Sequence, residues 1–171
     1  MKASNFMLLA GVCTLGYTSA AFSQEILPEV SVIATNYKYL KNVNGKEVAV
    51  PVQRLQRMAA SYDIKNSDYY EEDYDTYFIS FYLPEGEILA AYDKDGKLIR
   101  TAEKYKNVRL PSTVATAVVT KFPNWSISKD VYLVSYYDDN NGGKAVKKYK
   151  LVLENGNKRI RVQVSEDGEI S

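Results

Sequence analysis

Two stretches of alternating apolar residues, each folded back by a short turn, recur 72 residues apart, and they constrain the fold more than any other feature of this chain. Tyr77, Ile79 and Phe81 stand in alternation; Pro84-Glu85-Gly86 turns the chain; Ile88, Ala90 and Tyr92 alternate on the return. At the 72-residue offset stand Tyr149, Leu151 and Leu153, then Ile160, Val162 and Val164. Asp95-Gly96 meets Asp167-Gly168, and Leu98 meets Ile170. A period of two is that of a half-buried strand, and Gly-containing turns between such runs signal hairpins. Asn155-Gly156 in the second hairpin has the composition of a type I′ turn.

Each hairpin follows a helix opened by proline. Pro51 opens a helix over 51–61 with Val52, Leu55 and Ala59 on one face and Arg54 and Arg57 off it. Pro111 opens a second, with Val114, Ala117, Val118 and Phe122 in register, and Pro123 ends it. Leu98 to Lys104 reads as a third strand, and Ile127 to Tyr137 as a strand that leads into the loop Asp138–Gly143. Val30 to Tyr39, rich in β-branched and aromatic residues, reads as an opening strand, and Asn44-Gly45 as a turn. Pro51 lies 26 residues before Tyr77, and Pro111 lies 38 before Tyr149, so the second unit carries about one extra strand and loop. The expectation is an α+β fold of tandem helix-plus-antiparallel-sheet units, 24–105 and 106–171, after a leader of residues 1–23.

The leader reads as a secretory signal peptide: Lys2, an apolar run from Phe6 to Gly16, then Ala21-Phe22-Ser23 before Gln24. Cleavage after Ala20 is the alternative. The apolar run is too short to span a bilayer, which takes about 20 residues. Val12 directly before Cys13 suits lipoprotein processing badly. The expected location is therefore periplasmic or secreted, with no stable membrane insertion after cleavage.

The 171 residues include no His, and removing 1–23 takes away the one Cys. Imidazole and thiolate chemistry are then excluded: His-based triads, the usual zinc sites and disulfide exchange. Removal of Lys2 leaves 21 basic residues against 21 acidic, which argues against a nucleic-acid binder. No phosphate-cradling or nucleophile-elbow motif is present. No pair of carboxylates stands out for acid–base work, so the expectation is no enzyme and no cofactor.

Tyr92–Leu98 (Tyr-Asp-Lys-Asp-Gly-Lys-Leu), Val108–Val114 (Val-Arg-Leu-Pro-Ser-Thr-Val), Lys121–Ile127 (Lys-Phe-Pro-Asn-Trp-Ser-Ile) and the closing Glu166–Ile170 (Glu-Asp-Gly-Glu-Ile) form an ordered set. In these, the chain resembles the PepSY-like, β-lactamase-inhibitor-like proteins of the bacterial envelope. The resemblance covers about half the chain, and the 72-residue echo extends it. It implies a tandem helix-plus-sheet fold, export, and non-catalytic binding or inhibition of another envelope protein, an enzyme among the candidates. It carries over no catalytic residue and leaves the oligomeric state open.

Tyrosine, 15 residues in all, is the compositional oddity. Tyr suits interfaces because it offers area and a hydrogen bond at low entropic cost, and it equally suits strands. The candidate partner-binding residues are Tyr69, Tyr70, Tyr74, Trp125, Tyr136 and Tyr137. Tyr136 and Tyr137, as strand neighbours, point to opposite faces. Trp125 follows a helix exit, where an indole either anchors a partner or plugs a gap between helix and sheet. The acidic loop Asp68, Glu71, Glu72, Asp73 and Asp75 offers oxygen ligands for a cation, though in no EF-hand spacing, and otherwise reads as a solvated loop. The alternative function is accordingly a small-ligand or cation binder using that loop.

Overall fold

The computed structural model describes residues 33–45, 47–139 and 141–171; the expected signal peptide lies outside them. The alternation becomes β1 (Thr76–Leu83), β2 (Gly86–Asp93), β3 (Leu98–Lys106), β4 (Ser126–Tyr137), β5 (Lys144–Asn155) and β6 (Lys158–Ser165). All are antiparallel and lie side by side in chain order, β1-β2-β3-β4-β5-β6, as one open sheet. Among the described residues it is accompanied by α1 (Tyr37–Val43), α2 (Val50–Ser61) and α3 (Ser112–Lys121). The fold is α+β.

Every hairpin buries one side of its alternation. Tyr77, Phe81, Ile88, Ala90, Tyr92, Tyr105, Tyr132, Tyr149, Leu151 and Val164 face a common cluster with Val52, Leu55 and Ala59 of α2 and Tyr39 and Val43 of α1. A fully buried aliphatic side chain contributes about 1.5–3 kcal/mol, so this single cluster dominates the stability. The pairings of β1–β2 reappear in β5–β6 at the 72-residue offset: Tyr77↔Tyr92 becomes Tyr149↔Val164, and Leu83↔Gly86 becomes Asn155↔Lys158. The expected unit boundary at 105/106 falls at the end of β3, which pairs with β4 from Arg100↔Tyr137 to Lys106↔Val131, so both halves share one sheet.

Two local expectations need correction. The opening strand expected over Val30–Tyr39 is helical where it is described, at residues 33–35 and again from Tyr37. Tyr39 and Val43, four residues apart, are both buried, so a helical stripe that meets the core outweighs the β-branched composition. The hairpin expected to turn on Asn155-Gly156 turns instead on Gly156-Asn157, since Asn155 pairs with Lys158. Of the two turn residues, Gly156 alone has positive φ, +55°, the pattern of type II′ rather than I′.

Pro111 precedes α3 and offers no side-chain cap. Glu47, far back in the chain, takes that role: its carboxylate accepts from the Ser112 amide at 2.6 Å and the Ser112 hydroxyl at 2.8 Å. Those bonds hold its pKa below the ordinary carboxylate value.

Candidate functional site

Helices cover one side of the sheet. On the other, Phe78 and Tyr82 of β1 are 68% and 65% exposed, and Leu89, Tyr137 and Val146 are also exposed. The register explains a trough among them. Ser80, Leu89, Ala102, Ser135 and Val146 form one row across five strands, and three of the five are small. The larger Tyr82, Lys104, Leu133 and Lys148 stand in the adjoining row. The result is a shallow cavity of about 360 Å³. Its β3–β5 side is basic, with Arg100, Lys104, Lys144 and Lys148 on the open face, and Lys104 lies 3.5 Å from Glu87.

A second hollow, about 550 Å³, runs beside β1. The consecutive residues Thr76–Phe81 line it together with Tyr62, Tyr69 and Tyr74. Consecutive strand residues face opposite sides of a sheet, so a groove touching all of them lies along the strand's edge. The acidic loop 62–76 walls this groove. Tyr70 is half-buried and stacks on Tyr77 with ring centres 5.5 Å apart; Tyr74 meets Tyr77 edge-on at 6.2 Å. The Tyr77 hydroxyl donates to the Glu71 carbonyl, which ties the loop to β1.

The structure therefore brings Tyr69, Tyr70 and Tyr74 together and separates the other candidates from them. Tyr137 is 58% exposed on the open face. Tyr136 points the other way, is 1% exposed and packs edge-on against Tyr39 at 5.2 Å, so it leaves the contact set. Trp125 is half-buried against Phe122, with centres 6.5 Å apart, in the gap-filling position. Phe78, Tyr82 and Leu89 were not singled out from sequence; each is an outward residue in an alternating strand, and the absence of charge at those positions was the available signal. Most tyrosines serve the core, as the ladder Tyr105, Tyr132, Tyr149 on adjacent strands shows: neighbouring rings stack at 5.9 and 4.5 Å.

One carboxylate is fully enclosed. Glu103 is 3% exposed; Oε1 accepts from the Tyr39 and Thr101 hydroxyls, both at 2.8 Å, and Oε2 from Gln56 Nε2 at 2.9 Å and the Tyr105 hydroxyl at 2.8 Å. Burial raises its pKa above the ordinary value, against the pull of the four donors. Its four donors are themselves buried, so Glu103 ties α1 and α2 to β3. Asp138 does similar work at the end of β4, where it pairs with Lys38 of α1 and Lys97 of the β2–β3 turn. Among the described residues, no three Asp or Glu converge as a metal site, and no helix is long and apolar enough to cross a membrane.

Comparison with family models, curated proteins and solved structures gives no match.

Proposed function

We propose that this chain is an exported, non-catalytic protein-binding module, in keeping with its resemblance to PepSY-like, β-lactamase-inhibitor-like proteins, and that it occludes part of an envelope partner. The two hairpins that match at a 72-residue offset are, in this reading, the sheets of two duplicated helix-plus-hairpin units fused into one. The observation that carries the reading is the sheet face on which, among the described residues, no helix packs. Phe78, Tyr82, Leu89 and Tyr137 stay exposed around a trough floored by small residues, and an exposed apolar patch of this kind marks an interaction surface. Arg100 and the lysines of β3–β5 on the same face favour a partner surface rich in Asp and Glu. Inhibition would follow from steric cover if the partner is an enzyme.

The test is capture from envelope extract by the tagged protein, beside two variants. Leu89→Asp places a charge in the apolar row; Val119→Glu does the same on exposed α3, away from the face. The reading expects one stoichiometric protein retained by the parent and by Val119→Glu and lost by Leu89→Asp. Equal retention by all three would refute it. The retained protein then becomes the target for an inhibition assay.

A further inference from the structure

The sheet has two edges, and the chain treats them differently. β6 is guarded. Lys158, Arg159 and Arg161 lie along it, and the terminal residues fold back over its end. There the Gln163 amide donates to the Ser171 carbonyl at 3.1 Å, the Ser171 amide donates to Gln163 at 2.9 Å, and Val164 bridges Ile170. Among the described residues, β1 has no such guard. Its sequence, Thr-Tyr-Phe-Ile-Ser-Phe-Tyr-Leu, contains no charge and no proline. Among the described residues, no backbone hydrogen bond crosses its outer side. Natural sheets blunt a free edge with Lys, Pro, a bulge or a covering segment, because a bare one pairs with any extended chain. Beside this bare edge lies the groove walled by Tyr62, Tyr69 and Tyr74.

The charge around the groove selects its occupant. From Asn66 to Asp93 the chain carries eight Asp and Glu and no Lys or Arg. That span includes most of the wall loop, β1 and the neighbouring β2; the first residues of the loop add Asp63 and Lys65. A second copy pairing β1 with β1 would set two such acidic spans side by side. We propose that β1 is a strand-addition site for an extended segment of a partner protein that bears Lys or Arg between apolar residues. The partner backbone extends the sheet, its apolar side chains enter the groove, and its cations face the acidic surround. Eight residues of β1 at about 3.3 Å each give a site ~26 Å long, so the matching segment is about six to eight residues. The inference rests on reading the chain as a protein-binding module, and concerns the β1 edge, whose groove shares Phe78 and Ser80 with the open face.

The ladder dictates the test. The Pro84-Glu85 turn closes on the pair Leu83↔Gly86, and hydrogen-bonded and free positions then alternate back along β1. This places the amides of Phe78, Ser80 and Tyr82 on the outer side. Ser80→Pro therefore removes one outward donor and spares the β2 ladder, and proline is tolerated on edge strands. Ser80→Ala is the side-chain control. The probes are the synthetic peptides (Lys-Val)5 and (Glu-Val)5, titrated against the full chain expressed with its own leader; hydrogen–deuterium exchange reads the β1 amides and melting checks the fold. The expected result is binding of (Lys-Val)5 with slowed exchange in β1. Affinity should fall about tenfold or more in Ser80→Pro and change by no more than about twofold in Ser80→Ala. Equal affinity for (Glu-Val)5 would overturn the basic partner. Slowed exchange confined to other strands, no binding at all, or an unchanged affinity in a folded Ser80→Pro would overturn strand addition. Since Leu89→Asp leaves the outer edge intact, that variant should lose envelope capture and still bind (Lys-Val)5; failure of the parent to bind the peptide would fault this inference without touching the open-face reading.

Discussion

Replacing Glu103 by glutamine sets the two forces on that side chain against each other. Four donors converge on its carboxylate, two on each oxygen, and three of them are hydroxyls. A glutamine amide puts two N–H groups where one oxygen accepted two bonds. If the nitrogen takes the Oε1 place, the Tyr39 and Thr101 hydroxyls can turn to accept, but their own protons then lose an acceptor. Each buried polar group left unsatisfied costs about 1–3 kcal/mol, and removing a buried charge returns part of that. The net expectation is a loss of about 1–3 kcal/mol for Glu103→Gln and about 3–5 kcal/mol for Glu103→Ala, which leaves all four donors without the carboxylate. At this chain length 1 kcal/mol moves Tm by about 2–4 °C, so the glutamine variant should melt about 2–12 °C lower. The pH dependence is the sharper readout. Burial raises the Glu103 pKa in the folded state above 4.5, so between those two values the folded protein holds a proton that the unfolded chain has released. Stability from this group is therefore full below the ordinary value and is lost as pH rises through the raised one. Glutamine does not titrate. The stability gap between parent and Glu103→Gln should be widest near pH 4.5 and narrow toward pH 8 in urea melts followed by circular dichroism. A gap that is constant or widens with pH would refute the reasoning, because the four donors would then outweigh burial.

Gly86→Ala should destabilise by about 1–3 kcal/mol, since its Cβ would meet the Tyr105 ring and come within 2.8 Å of the Lys104 carbonyl oxygen; denaturant midpoints measure this, and an unchanged midpoint would show that β2 and β3 can separate freely there. Leu89→Asp should lower stability by no more than about 1 kcal/mol while abolishing envelope capture, because the side chain is 46% exposed and the main cost is that of Asp in a strand. A large loss of stability would mean that the open face contributes to folding rather than to binding.

Strand positions were legible because one face of each hairpin is buried, so period-two alternation had to be written into Tyr77–Phe81, Ile88–Tyr92 and Tyr149–Leu153. The helix at 50–61 was legible for the same reason at a different period. The opening segment was misread because Tyr39 earns its helical place through a hydroxyl bond to Glu103, 64 residues away, and no local pattern reports such a partner. Glu103 stands beside Lys104 in β3, and its enclosure depends on α1, α2 and β3 meeting. For the candidate site, composition marked the tyrosine-rich loop, but which of Tyr136 and Tyr137 faces out depended on the β4 register. The bare edge was invisible in the sequence, because the apolar strand that becomes an edge and the one that becomes central are written alike until the topology orders them.

The acidic surround of β1 answers a difficulty that the bare edge creates. An uncharged, aromatic strand with a free edge pairs with its own kind and aggregates, and sequences restrain such segments with flanking charges. Here the charges lie outside the strand: Asp73 and Asp75 precede it, and Glu85 and Glu87 follow. Two copies approaching edge to edge bring these groups together, whereas a cationic strand meets them favourably, so the same residues exclude the copy and admit the partner. Neutralising the leading group tests this division of labour. The variant Glu72→Gln/Asp73→Asn/Asp75→Asn keeps every strand residue, and all three positions are exposed. It should self-associate at lower concentration than the parent by sedimentation velocity at 0.1 M salt. Adding Ser80→Pro should reverse the association. Raising salt to 1 M, where screening shortens from about 10 to about 3 Å, should move the parent toward the variant. If the triple variant associates no more readily than the parent, repulsion is not what keeps β1 free, and the charge argument for a basic occupant falls with it.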